Sequence, residues 1–271
     1  MIGDGNRPMK LPGLAPRAFN DIFRLVEENA SKFSFKISCY MIELYCDKLI
    51  DLFGKKTSDE AKLRVRKDKN GLVFIENSAI KEAASAEDLY SLFEQGSENR
   101  HVASTKMNAE SSRSHLVIGI IIESTNLATG SVMTGKLSLV DLAGSERAGK
   151  TGASGQQIVE AKSINKSLSA LGNVIFALSD GSTHVPYRDN LLTQLMQDSL
   201  GGNAKTLMFV NVSPADYNTE ETINSLKYAR RVKLITNDAK KNADNKEIAR
   251  LKDLVKRLKA GEDVPDEDLG L

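Results

Sequence analysis

The chain has 271 residues, with 37 Lys and Arg against 36 Asp and Glu for a formal net charge of +1, 41% hydrophobic and 27% charged residues, and two cysteines. That length fits one large globular domain with appendages, and the charge balance excludes a polyanionic partner held by bulk basicity, so such a partner must meet local patches. Two thiols cannot build a disulfide framework; Cys39 and Cys46 lie in one strand-like run that would hold them roughly 23 Å apart, which points to a reducing compartment. No apolar run approaches the about 20 residues needed to cross a bilayer, and the first residues lack a secretory apolar core, so a soluble chain is expected.

In chain order, a Gly/Pro-rich opening precedes Arg17–Ala30, where Phe19, Ile22, Phe23 and Val26 recur at helical spacing. Phe33–Phe53, rich in β-branched and aromatic residues, predicts a long strand and its continuation. Lys62–Arg66 and Leu72–Glu76 read as a hairpin around Asp68-Lys69-Asn70-Gly71. Ser85 is placed to cap a helix from Ala86 to about Gln95. His115–Glu123 and Gly135–Leu142, apolar in their centres, predict buried strands. Val159–Leu178 is a long helix with Ile164, Leu168, Leu171, Ile175 and Leu178 on one stripe, and Tyr187–Leu200 a second helix closed by Gly201-Gly202. A last strand is expected at Thr206–Val212 and a last helix at Thr219–Ile235. The alternation predicts an α/β fold with a mixed central sheet and helices on both faces.

Gly144-Ser145-Glu146-Arg147-Ala148-Gly149-Lys150-Thr151 matches the pattern of a phosphate-binding loop. Such a loop needs a helix to start at its Lys-Thr pair, yet Gly152 and Gly155 stand in what would be the first turn, each disfavouring helix by about 1 kcal/mol relative to Ala. The same residues allow another reading. Asp141 at a strand end with Gly144 three residues on is the arrangement by which switch nucleotidases sense a γ-phosphate, the carboxylate reaching a magnesium-bound water and the glycine amide approaching the phosphate. Asn108-Ala109-Glu110-Ser111-Ser112-Arg113-Ser114-His115 adds adjacent hydroxyls suited to magnesium and water, and an Arg able to pair with a carboxylate from another loop. On composition alone, a capping Asp with a turn Gly and a polar turn feeding a strand remain open alternatives.

Asn108–His115, Asp141–Glu146, Ser163–Gly172 and His184–Asp189, in that order, resemble a kinesin motor domain of the C-terminal-motor (kinesin-14) group, and the resemblance runs from Met1 to about Lys259. Within that group the chain is most similar to the calmodulin-binding kinesins. The resemblance implies a P-loop NTPase fold of kinesin type that here begins just after the phosphate loop, lacking that loop and the strands before it. It implies ATP and Mg as cofactors and a microtubule-based ATPase, with movement toward the minus end. Asn108, Ser111, Ser112, Asp141 and Gly144 would bind the nucleotide, with Ser112 and Asp141 at Mg, partly through water. Ser112, Arg113, Gly144 and Glu146 would be catalytic, Arg113 and Glu146 closing the two switches on each other. Arg64, Arg66, Lys67, Lys69, Lys162, Asn165, Lys166, His184, Tyr187 and Arg188 would face the microtubule, whose acidic surface these patches can meet despite a whole-chain charge of +1.

From Lys246 to Lys259, Ile248, Leu251, Leu254, Val255 and Leu258 form an apolar stripe flanked by Lys and Arg, as in helices gripped by calmodulin or a related calcium-binding protein; an ordinary neck-like helix fits equally. The expected organisation is a partial motor domain over 1–238, a basic helix over 239–260 and an acidic tail over 261–271. The resemblance further implies a cytoplasmic, microtubule-associated protein, dimeric through its missing N-terminal region, with no nucleic-acid or membrane partner. A nucleotide-independent microtubule-binding or calcium-responsive adaptor is the alternative.

Overall fold

The structure is a computed structural model that describes residues 12–54, 62–68, 71–105, 113–145 and 156–237. Asn108, Ser111, Ser112, Glu146, Lys69, the Lys150-Thr151 pair and the Lys246–Lys259 stripe lie outside these residues. Helix α1 (Leu14–Asn29) leads into β1 (Phe33–Tyr45) and β2 (Lys48–Asp51), then β3 (Arg64–Lys67), β4 (Val73–Glu76) and β5 (Lys81–Ala83). Helix α2 (Ala86–Thr105), β6 (His115–Asn126), β7 (Val132–Asp141), α3 (Gln156–Ser179), α4 (Leu191–Leu195) and α5 (Thr219–Val232) complete the order. The described residues form two compact units. One runs to Asn173 and includes Pro186–Leu195; the other holds Val174–Val185 and the residues from Met196 on.

The first unit is built on the sheet β2-β1-β6-β7, with β5 also against β1 and every described pairing antiparallel. Strand alternation assigns its two faces. Ile37, Cys39 and Met41 of β1 with Leu116, Ile118 and Ile120 of β6 are buried with Phe19 of α1 and with Leu89 and Phe93 of α2, whose Phe93 ring meets Phe19 edge to face at 6.0 Å. The opposite face carries Tyr40, Ile42, Leu44, His115 and Val117, also buried, and there the middle of α3 attaches through Ser167. Helices therefore cover both faces, as expected. Gly119 lies opposite Tyr40 in the ladder, and a β-carbon there would stand 2.1 Å from the Tyr40 ring. Gly119 thus makes room for an aromatic ring in the middle of a buried strand.

Most elements form within a few residues of the expected bounds. Ser85 caps α2 as anticipated: its Oγ accepts from the Asp88 N–H at 3.1 Å, and the Asp88 carboxylate accepts from the Ala84 N–H at 2.9 Å. Helix α2 runs ten residues beyond Gln95, to Thr105. Gly96 does not stop it, because a β-carbon at that position would come 2.2 Å from the Met41 sulfur; the glycine serves close helix-to-sheet approach. The long strand predicted from Phe33 folds back at Cys46 and Asp47, both with positive φ (47° and 58°), giving a two-residue hairpin turn.

Two expectations need correction. Tyr187–Leu200 is not one helix but a 3-10 turn (Tyr187–Asp189) followed by α4. Asn190 between them is extended and its side-chain oxygen accepts from the Leu192 N–H at 2.9 Å, so a cap interrupts the helical backbone. Thr206–Val212 is not a strand, since it joins no ladder among the described residues. Leu207 and Phe209 are 76% and 62% exposed. Apolar alternation makes a segment competent to be a strand, but only a neighbouring backbone completes one.

In the second unit the loop before this segment is tied by Asn237, whose side chain accepts from the Gly201 N–H at 2.9 Å and donates to the Ala204 carbonyl at 2.7 Å. Helix α5 places Glu220 and Glu221 in its first turn and Arg230 and Arg231 in its last, each sign matching the helix dipole. No helix among the described residues is long and apolar enough to cross a membrane.

Candidate functional site

At one end of the first unit's sheet, β7 ends at Asp141 and the chain passes through Ala143 to Gly144, while Arg113 and Ser114 lead into β6. The ladder places Leu116 opposite Asp141, so the two segments singled out in the sequence meet at one edge. Beneath them lies a buried polar network that sequence reasoning missed. Arg100 of α2 donates to the Ser114 carbonyl at 3.1 Å and to the Ser114 hydroxyl at 3.0 Å, and pairs with Glu43 of β1 at 3.4 Å. Ser114 Oγ in turn donates to Glu43 at 2.6 Å. Arg100 also stands 3.8 Å from Asp141, whose side chain is 48% exposed. A buried cation shared by a buried and a half-open carboxylate anchors the open one at this edge.

Asp141 is a hard oxygen donor at the mouth of this edge, the kind of group that reaches Mg through a water. Magnesium keeps several waters and takes few protein ligands, which suits one half-exposed carboxylate. Among the described residues no group of three or more His, Cys, Asp or Glu could hold a metal by itself. Among the described residues, this edge offers a metal one carboxylate, Asp141. The hydroxyl expected to complete it, Ser112, is outside the described residues.

Arg113 donates to Glu160 of α3 at 2.9 Å, and the Tyr45 hydroxyl donates to the other Glu160 oxygen at 2.6 Å. Glu160 is only 2% exposed. Burial, with the neighbouring Glu160 carboxylate next in weight, pushes the Tyr45 phenol far above its ordinary range, so it stays a donor. The expected Arg113–Glu146 bridge involves a residue outside the described set; within that set, the partner of Arg113 is Glu160. Two residues on, buried His115 accepts from the Ala143 N–H at Nδ1 (3.0 Å) and meets Ser167 of α3 at Nε2 (2.8 Å). Burial, reinforced by the Arg100 charge, lowers its pKa to about 4, so the ring is neutral.

The other side of α3 is exposed and carries Lys162, Asn165 and Lys166, spaced so that they share one face. Lys166 pairs with Asp47 in the β1–β2 turn at 3.2 Å, and Asn190 donates to the same carboxylate at 3.3 Å. Helix α4 lies beside the β3–β4 hairpin, where Arg64, Arg66 and Lys67 are exposed and Arg66 pairs with Glu76 at 3.1 Å. Arg188 is exposed and Tyr187 half-buried just before α4; His184, in the second unit, is exposed. Glu43 and Glu160 did leave a trace in the sequence, each a carboxylate inside an otherwise apolar strand or helix stripe, where burial demands partners.

The Kinesin motor domain family model matches residues 1–235. The chain belongs to the kinesin motor-domain family. It is 55% identical over 260 residues to the "Kinesin-like protein KIN-14I" of Oryza sativa subsp. japonica, covering 95% of this chain and 21% of that one. Among solved structures it resembles that of a fast kinesin, reported with implications for ATPase mechanism and interactions with microtubules (43% identity, TM-score 0.80, 88% of this chain and 67% of that chain). It also resembles the C-terminal motor and motor homology domain of Kar3Vik1 (36% identity, TM-score 0.71, 82% and 57%). This kinesin-family chain spans about a fifth of the length of the curated relatives it matches most strongly, 21% of each.

Proposed function

We propose that this chain is the larger part of the head of a kinesin-14 microtubule motor, which hydrolyses ATP with Mg and moves along microtubules toward the minus end. The observation that carries the reading is that one helix serves both ends of the task. Helix α3 is bound on its buried side to the phosphate-sensing edge through Arg113–Glu160 and His115–Ser167, and bears Lys162, Asn165 and Lys166 on its open side. Asp141 and Gly144 sense the γ-phosphate, Ser111, Ser112 and Asn108 complete the nucleotide and Mg contacts, Arg113 and Glu146 close the two switches on each other, and Glu146 orders the proton path of the attacking water. Arg64, Arg66, Lys67, Lys69, His184, Tyr187 and Arg188 extend the basic face toward acidic tubulin. The apolar stripe Ile248, Leu251, Val255 and Leu258 within residues 239–260 is offered to a calmodulin-like partner. The protein works on cytoplasmic microtubules.

ATP turnover by the full-length protein, measured with and without microtubules over a range of salt, tests the reading. Stimulation by microtubules that fades as salt screens the basic face is expected. Turnover that ignores microtubules, or filament binding indifferent to salt, overturns it.

A further inference from the structure

His115 has a fixed hydrogen-bond polarity. The Ala143 backbone N–H can only donate, so Nδ1 carries no proton; Nε2 then bears the ring's proton and donates to Ser167 Oγ. The Ser167 hydroxyl donates its own hydrogen bond to the Ile164 carbonyl at 2.7 Å, inside α3. The chain of bonds Ala143 N–H, His115, Ser167, Ile164 is complete, and every member faces one way. Its two linking side chains, His115 and Ser167, are buried.

Ala143 lies between Asp141 and Gly144, the pair read as sensing the γ-phosphate. Ser167 lies one residue after Lys166 and seven after Glu160, two helical turns along the same side of α3. The short segment from Arg113 to His115 therefore reaches α3 at two points about 10 Å apart, through Arg113 to Glu160 and through His115 to Ser167. Among the described residues, His115 is the one of these two that also holds the loop after β7.

We propose that His115 is a positioning residue that couples the Asp141–Gly144 loop to α3, so that movement of the loop on loss of phosphate is delivered to the helix face bearing Lys162, Asn165 and Lys166. The inference rests on the motor reading above for its purpose, while the mechanical link itself does not. A shift of Ala143 either breaks a 3.0 Å bond or draws the imidazole with it, and the imidazole is held by a second bond to the helix. A protonated ring would present a second N–H toward the Ala143 N–H and break the link; burial and Arg100 both oppose that state.

The test uses Ser167→Ala in the full-length protein, with His115→Gln as a second variant should the first fold poorly. Amide hydrogen exchange reads the link directly. Loss of the Ser167 hydroxyl, on the helix, is expected to speed exchange at the Ala143 amide at least tenfold, with the Ile118 amide in the centre of β6 within twofold of the parent. Microtubule stimulation of ATP turnover is expected to fall at least fivefold in the same variant. Exchange at Ala143 within twofold of the parent, or equal acceleration at Ile118, overturns the link. Faster exchange with undiminished stimulation overturns its role in coupling. A parent protein that microtubules do not stimulate overturns the motor reading instead, and exchange still decides whether the loop and helix are joined.

Discussion

Replacing Glu160 by Ala would remove the one carboxylate that both Tyr45 and Arg113 use, and the structure allows the cost to be worked through. The Tyr45 hydroxyl is buried, and stranding such a donor costs about 1–3 kcal/mol. Breaking a buried ion pair from one side costs about 3–5 kcal/mol, but Arg113 is 27% exposed and can turn to water, so the low end applies. The two losses share one carboxylate and do not simply add, which leaves about 3–4 kcal/mol for the variant. For a domain of this size each kcal/mol moves the melting midpoint by about 2–4 °C, so a fall of roughly 6–15 °C is expected in thermal denaturation followed by circular dichroism. Tyr45→Phe should cost less, about 1 kcal/mol, because it strands no donor and leaves Glu160 its Arg113 partner. A Glu160→Ala midpoint within 2 °C of the parent would refute the reasoning, and so would a Tyr45→Phe loss equal to it.

Gly119→Ala should destabilise by at least about 1–3 kcal/mol, since its β-carbon would overlap the buried Tyr40 ring, whereas Gly135→Ala in β7, facing open space, should stay within about 0.5 kcal/mol; urea midpoints of the two variants make the comparison. His115 adds a pH dependence. Its pKa is lowered to about 4 in the folded chain from an ordinary 6.5, so below pH 6.5 the unfolded chain takes up a proton that the folded one refuses. The stability present above pH 6.5 is therefore lost as pH falls toward 4, by about 3 kcal/mol in all, and the part due to this residue should vanish in His115→Gln when midpoints are followed across that range.

Local chemistry was legible where a signal and its consequence sit on the same few residues. The Ser85 cap announces α2, the continuous apolar run around Ile118 announces β6, and the stripe from Ile164 to Leu178 announces α3, because apolar patterning and capping are properties of neighbours in the chain. Lys162, Asn165 and Lys166 were named through the resemblance, and their spacing along α3 puts them on one exposed face. What decided the rest was contact between residues far apart in sequence. Gly96 could have ended a helix, and only Met41 of β1, pressed against it, shows why the helix continues. Thr206–Val212 carries a strand pattern, yet a strand is a relation between two backbones and no described segment completes it. The buried carboxylates of Glu43 and Glu160 could be suspected of needing partners, but that these are Arg100, Ser114, Tyr45 and Arg113 follows from the register of β1 against β6 and from α3 lying across the far face. The bond from Ala143 through His115 to Ser167 leaves no mark in the sequence, because hydrogen bonds through space depend on where the sheet sets each end and not on any spacing along the chain.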